Sequence, residues 1–237
     1  MKLFFIFLSI LSAVSLSANE NNNAKIKAEK ISDKIITKIM EFQKLLPEIK
    51  GQIISLPRAG TLGIKFSDNK ISIHEGMKFV AKRKGINSEM TGNGILYLKY
   101  DRNKNITGKY LRSEVGKFDI GDTINTKWYK PIFAVGNFKD DTGQYRDFMR
   151  MLKNILKAKL NGSTEIKTLT TPKTELILEK IATMYSYEKE MKKLFGRGID
   201  YVIFAKLTNK NNGFFIELSV LSTYTSQKIT KVIIDIN

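Results

Sequence analysis

The hydrophobic period of the chain switches at "TKWYKP", residues 126–131, and that switch limits the fold more than any other feature. Before it, over residues 51–127, Gly, Asn and Asp punctuate short β-rich runs: "TLGIKF", "KISIHEGMKFVAKRKG", "GNGILYLKY", "ITGKYLRSEV" and "FDIGDTINTKW". Strand signals recur at roughly ten-residue spacing, with "SDNK" and "DRNKN" as turns, so a small antiparallel, SH3-like barrel is expected rather than a parallel sheet. Ile71 and Ile73 would point one way, and Met77, Val80 and Ile95 would help close the core. Gly76 and Gly121 supply tight backbone. After the switch, "IFAV" reads as a strand covered on both faces. Tyr145, Phe148, Met149, Leu152, Ile155, Leu156 and Leu160 then fit one helical stripe, in a helix spanning 142–160. "STEIKTL", helical patterns over 173–185 and 187–195, "IDYVIFAKL" and a closing hairpin complete the order β-α-β-α-α-β-β-β, a compact α/β sandwich over 130–237.

The expected class is therefore α+β, with an N-terminal helix ahead of the barrel. Ile31, Ile35, Ile39, Phe42 and Leu46 recur at three- and four-residue steps through 24–46, up to Pro47. This helix, with its linker, occupies 19–50. In front of it, "MKLFFIFLSILSAVSLSANENNN" has Lys2, an apolar run from Leu3 to about Val14, and small residues before an Asn cluster. That is the pattern of a cleavable signal peptide over 1–18; an uncleaved anchor is the alternative. The run is too short for a membrane span, so no stable insertion is expected after cleavage.

The chain has no cysteine and one histidine, His74. Disulfides, thiol catalysis, Cys-ligated metals and lipoprotein acylation are excluded, and no His-based triad or His-rich metal site can be built. No GxSxG elbow, P-loop or GxGxxG turn is present. In "VGNFKDDTGQ", Asp141 and Gln144 have the spacing of a capping box at a helix start, and Asp140 with Asp141 supplies too few ligands for a divalent ion. Neither enzymatic activity nor a cofactor is expected.

The net charge is +17, from 33 lysines and 7 arginines against 23 acids. The lysines are scattered, which suits a solvated surface; a basic face for an acidic envelope polymer, headgroups or an acidic protein is the other reading. One constellation is concentrated. "YLKYDRNKNITGKYLRSE" places Tyr97, Lys99, Tyr100, Arg102, Lys109, Tyr110 and Arg112 on a β-hairpin. Such residues can stack on single-stranded nucleic acid or line a protein interface. For an exported chain a protein partner is expected and nucleic acid is not.

Residues 131–236, with "IFAVGNFKDDTG", "GRGIDYVIFAKL" and "IELSVLSTYTSQKIT", resemble the α/β domain shared by the curli-secretion protein CsgG, the lipoprotein activator LpoB and the N-terminal part of TolB. Residues 61–127, with "HEGMKFVAKRKG", "GNGILYLKYD" and "DIGDTI", resemble the small barrel of the periplasmic flagellar H-ring protein FlgT. There the barrel follows the α/β domain; here it precedes it. The resemblances imply a periplasmic, non-enzymatic scaffold or assembly factor, most concretely a flagellar basal-body ring or collar component. The alternative is a modulator of a peptidoglycan synthase or of an outer-membrane transport or secretion system. Expected partners are other cell-envelope proteins, flagellar basal-body components among them, and a homo-oligomer or ring is open. Mass spectrometry of the exported protein should find a start at about residue 18 or 19 and no acyl group; retention of Leu3–Val14 would show an anchor instead.

Overall fold

The computed structural model describes residues 2–56, 61–67, 75–84, 90–100, 106–113, 118–183, 187–210 and 213–235. Within these, only the backbone is described for 2–21, 84, 90–93, 100, 106, 109–113, 183 and 210. The protein is α+β and divides into two compact units, one of Phe42–Pro131 and one of Met1–Glu41 with Ile132–Asn237.

In the first unit, β1 (Lys50–Ser55), β2 (Thr61–Phe66), β3 (Lys78–Lys84), β4 (Met90–Tyr100), β5 (Ile106–Ser113) and β6 (Thr123–Asn125) pair antiparallel. Their order, β1-β2-β5-β4-β3-β6, closes on itself because β6 pairs with both β3 and β1, giving six strands among the described residues. Ile49, Ile53, Leu62, Phe79, Ala81, Leu96, Leu98, Phe118 and Ile124 fill the interior, with Ile64, Phe66 and Met77 packed against them. Val80 and Ile95 are not core residues. Each neighbours inward-pointing residues along its strand, so alternation turns both outward, where they pair with each other half-buried. Ile71 and Ile73 lie outside the described residues. Gly121 has φ +95°, the left-handed turn expected of it.

Strand β1 carries little sequence signal because one of its two inward positions is a glycine. At Gly51 a Cβ would stand 2.8 Å from the Lys65 carbonyl oxygen and 3.3 Å from both Ile124 Cγ1 and Phe66 Cδ1. The close approach of β1 to β2 thus depends on a missing side chain.

The second unit contains α1 (Lys2–Leu45) as far as Glu41. The helix set apart by sequence with a linker over 19–50 is therefore divided. Its Ala28, Ile31, Ile35 and Ile39 are buried within the α/β unit, whereas Ile49 and the start of β1 belong to the barrel. Among the described residues no helix is long and apolar enough to cross a membrane.

The remaining elements are β7 (Ile132–Asp140), α2 (Arg146–Asn161), β8 (Lys167–Thr168), α3 (Pro172–Thr183), α4 (Glu188–Gly196), β9 (Tyr201–Lys210), β10 (Gly213–Ser222) and β11 (Lys228–Asp235). The sheet order is β11-β10-β9-β7-β8, with β7 parallel to β8 and β9 and the other pairs antiparallel. From β7 the chain crosses to β8 on one side, then returns past β7 to β9 on the other. Right-handed crossovers in opposite directions place α2 and the α3–α4 pair on opposite faces. Ile177, Leu178, Ile181, Met191 and Leu194 pack on Ala134, Val202 and Leu221. Beside α2, the Lys159 ammonium pairs with Asp33 of α1 at 2.6 Å and donates to the Glu29 carbonyl at 3.2 Å.

Gly51→Ala should lower the unfolding free energy by about 1–3 kcal/mol, the usual cost of an overpacked contact. Gly162→Ala should stay within about 0.5 kcal/mol, because nothing lies closer than 3.7 Å and its backbone is right-handed. Urea unfolding of the two variants checks both.

Candidate functional site

The hairpin singled out by sequence is formed by β4 and β5. Leu96 and Leu98 point into the barrel, so Tyr97, half-buried, and Lys99, exposed, share its outer face. Tyr97 stands opposite Lys109 of β5, Leu96 opposite Tyr110, Ile95 opposite Arg112 and Tyr100 opposite Ile106. The side chains of Tyr100, Lys109, Tyr110 and Arg112, and the whole of Arg102, lie outside the described residues.

The better-defined half of the surface comes from the other neighbour of β4. On β3, Lys78 and Lys82 alternate with the core residues Phe79 and Ala81, and Lys78 stands opposite Tyr97. The Lys78 ammonium donates to the Tyr129 hydroxyl at 3.3 Å and lies 5.5 Å from its ring centroid; Lys78 is only 5% exposed. The Lys82 ammonium lies 4.7 Å from the Trp128 ring centroid. The Lys82–Trp128 contact is worth about 0.5–1 kcal/mol where wet and about 2 where desolvated, whereas Lys78 holds Tyr129 by its hydroxyl.

The two rings are held by a 3-10 turn, Thr126–Trp128, that follows β6. The Asn125 side-chain oxygen caps it by accepting from the Lys127 N–H at 2.7 Å. The Thr126 hydroxyl donates to the Pro47 carbonyl at 2.8 Å and accepts from the Ile49 N–H at 2.9 Å. Asn125 Nδ2 donates to Glu48 at 3.0 Å; that bond, with a second from Lys50, holds the Glu48 carboxyl below its usual pKa. At the far end of β3, Arg83 pairs with the buried Asp122 at 3.0 Å and with Asp119 at 3.2 Å. These links fix the rings relative to the lysines. The result is a face of Tyr97, Tyr129, Lys82, Trp128 and Lys99, aromatic area with attached positive charge, which the buried Lys78 helps to fix. "TKWYKP" shows the rings in sequence, but their partners on β3 are some fifty residues away in the chain.

The "KDDTGQ" loop differs from the expected capping box. α2 starts at Arg146, and its cap residue, Tyr145, makes no side-chain cap bond. Asp140 orders the loop instead. One of its oxygens accepts from the Thr142 N–H at 2.8 Å and the Thr142 hydroxyl at 2.6 Å; the other accepts from the Tyr145 N–H at 2.6 Å. Burial pushes the Asp140 carboxyl up, but bonds from Thr142, Tyr145 and Gly143 outweigh it and hold the pKa below the usual carboxylate value. Asp141 pairs with Lys206 at 2.5 Å, and Gln144 is exposed. Asp141, Thr142 and Gln144 line an open depression of about 430 Å³ with Thr208 and Asn209. Among the described residues no three His, Cys, Asp or Glu side chains gather in a way that could hold a metal ion.

No family model matches the sequence, and no curated protein matches it. Among solved structures, the chain is similar to the LpoB C-terminal domain from Escherichia coli at 10% identity and a TM-score of 0.31, over 44% of this chain and 79% of that one. The corresponding values for the LpoB C-terminal domain from Salmonella enterica are 10%, 0.31, 44% and 81%. For TolB from Acinetobacter baumannii they are 17%, 0.28, 45% and 23%. The similarity is weak, and a likeness at this level says nothing of activity or partners.

Asp140→Ala should cost about 1–3 kcal/mol, because it orphans donors at the start of α2. Asp141→Ala removes a half-exposed ion pair and should cost less than about 1 kcal/mol. Because the folded-state pKa of Asp140 is depressed, its contribution is complete above the unfolded-state carboxylate pKa and is lost as pH falls through the folded value. Urea unfolding of wild type and Asp140→Ala across that range should show the gap between them closing in acid.

Proposed function

We propose that this chain is an exported, non-catalytic docking protein of the cell envelope that modulates a larger machine through the outer face of β3 and β4. The observation that carries the reading is the Lys82–Trp128 stack and the Tyr129 ring, held through its hydroxyl by Lys78, beside Tyr97 and Lys99. A closed barrel has no unpaired edge, so a partner meets this unit through side chains. Tyr and Trp bury large area while keeping a hydrogen-bonding end, and they dominate interface energetics where cations nearby match an acidic partner. Export rests on the Lys2 and Leu3–Val14 leader pattern.

The machine we favour is a peptidoglycan synthase or an outer-membrane transport system, with this chain as its periplasmic modulator. The flagellar basal-body reading rests on the FlgT-like motifs of residues 61–127 alone.

A photo-reactive residue at Lys99 in living cells, followed by identification of the captured protein, tests the proposal. A synthase or transport component supports it, a basal-body protein moves it to the flagellar reading, and a cytoplasmic protein overturns it. With the captured partner, Tyr97→Ala combined with Trp128→Ala should weaken binding at least roughly tenfold, or about 1.4 kcal/mol. Lys82→Gln, which leaves both rings in place, controls for loss of fold and should weaken it less. Exchanging the exposed Lys167 and Lys173 for Gln should change binding far less. If that pair dominates and its effect vanishes with salt, the partner is held by diffuse charge and the chosen surface is wrong.

A further inference from the structure

In the α/β sheet β7 stands between β8 and β9, and the chain leaves it first for β8 and returns later to β9 on its other side. Crossovers that part in opposite directions open a crevice beyond the carboxyl ends of the strands, the place where open α/β sheets bind ligands. Here β7 turns into the loop before α2, whereas β9 returns as β10 within the sheet. The Asp141 N–H donates to the Leu207 carbonyl at 3.1 Å, which keeps that loop against the end of β9. The open depression of about 430 Å³ lies at this point, with Asp141, Thr142 and Gln144 from one strand's loop and Thr208 and Asn209 from the end of the other. Topology and shape thus pick out one place independently.

Its walls narrow the chemistry of an occupant. The N–H groups at the start of α2 are not free for a phosphate, because the Asp140 carboxylate already accepts from those of Thr142 and Tyr145. Asp141 adds a second negative charge, so an anion is disfavoured. A bare metal ion is disfavoured too, since Asp140 is engaged in these bonds and Asp141 is paired with Lys206. The remaining polar groups suit a neutral ligand. The side chains of Gln144, Thr208 and Asn209 have no partner among the described residues, and each can both donate and accept. An aromatic pair borders them. Tyr145 follows Gln144, is 38% exposed and meets the Phe214 ring edge-on at 5.0 Å, while Phe214 stands opposite Asn209 on the neighbouring strand.

We propose that this depression is a subsite for one neutral sugar ring of a glycan. Sugar hydroxyls both donate and accept, as the amides of Gln144 and Asn209 and the Thr208 hydroxyl do, and the Asp141 carboxylate accepts from a further hydroxyl. The apolar C–H face of the ring packs on Tyr145, which combines a flat apolar surface with a polar end. Because the depression is open and leaves much of the ring in water, the expected dissociation constant is about 1 mM. This inference does not depend on the docking role of the barrel face.

Nitrogen-15 NMR of the purified full chain, titrated with cellotetraose and separately with the tetramer of N-acetylglucosamine, tests it. At least one tetramer should shift amides centred on residues 141–145 and 208–209, and the tighter of the two shows whether an acetamido group is read. Inorganic phosphate at the same concentration should leave these amides unmoved. Gln144→Ala combined with Asn209→Ala should weaken binding at least roughly fivefold, the loss of two neutral hydrogen bonds. Both side chains are exposed, so this variant keeps the fold. Tyr145→Ala should weaken binding by a similar factor, whereas Tyr145→Phe, which keeps the ring, should stay within twofold. No shift at these amides with either tetramer at ten times the expected constant overturns the proposal. Shifts centred on another part of the chain, an equal response to phosphate, or unchanged binding in the Gln144 and Asn209 double variant do the same.

Discussion

The parallel pairing of β7 with β9 sets the layout of the α/β unit, and Asp200 clamps it where both strands begin. The Asp200 N–H donates to the Ile132 carbonyl at 2.8 Å, and its carboxylate accepts from the Ile132 N–H at 2.7 Å. Its own carbonyl accepts from the Thr223 N–H at 2.9 Å and the Thr223 hydroxyl at 3.0 Å, which draws in the turn between β10 and β11. A nearly buried carboxylate is tolerable only with such donors. Burial, and then the Asp200 charge, push the neighbouring Tyr201 phenol upward. With β7 and β9 fixed side by side, β8 lies beyond β7, the crossover helices take opposite faces, and β11 ends the sheet among the described residues.

The element order was legible because local patterns carried it. A period near two before "TKWYKP" and alternation of buried strands with helical stripes after it are properties of neighbouring residues. What escaped needs distant ones. β1 hides because Gly51 interrupts its apolar alternation, and only the approach of the Lys65 carbonyl explains that glycine. Val80 and Ile95 show how a one-residue choice of phase reverses a strand's faces: both are apolar, but Phe79, Ala81 and Leu96 take the interior.

The candidate surface divides in the same way. The hairpin and its Tyr97 and Lys99 could be read from "YLKYDRNKNITGKYLRSE", but the rings that β3 engages could not, since closure of the barrel brings them together. In the β7–α2 loop the residue types were right and the assignment was one residue late. Asp140, still in the strand, reaches forward to Tyr145, where a capping box would have used Asp141 and Gln144. The net charge of +17 has a plain structural side as well. Carboxylates such as Glu175, Asp33 and Glu217 pair with lysines, so what remains is a distributed excess of cations.

Barrel closure also bears on how recognition here can change over time. A surface with no open main chain is read only through its side chains, so a few substitutions around Trp128 and Tyr129 can redirect it to a new partner while the strands stay intact.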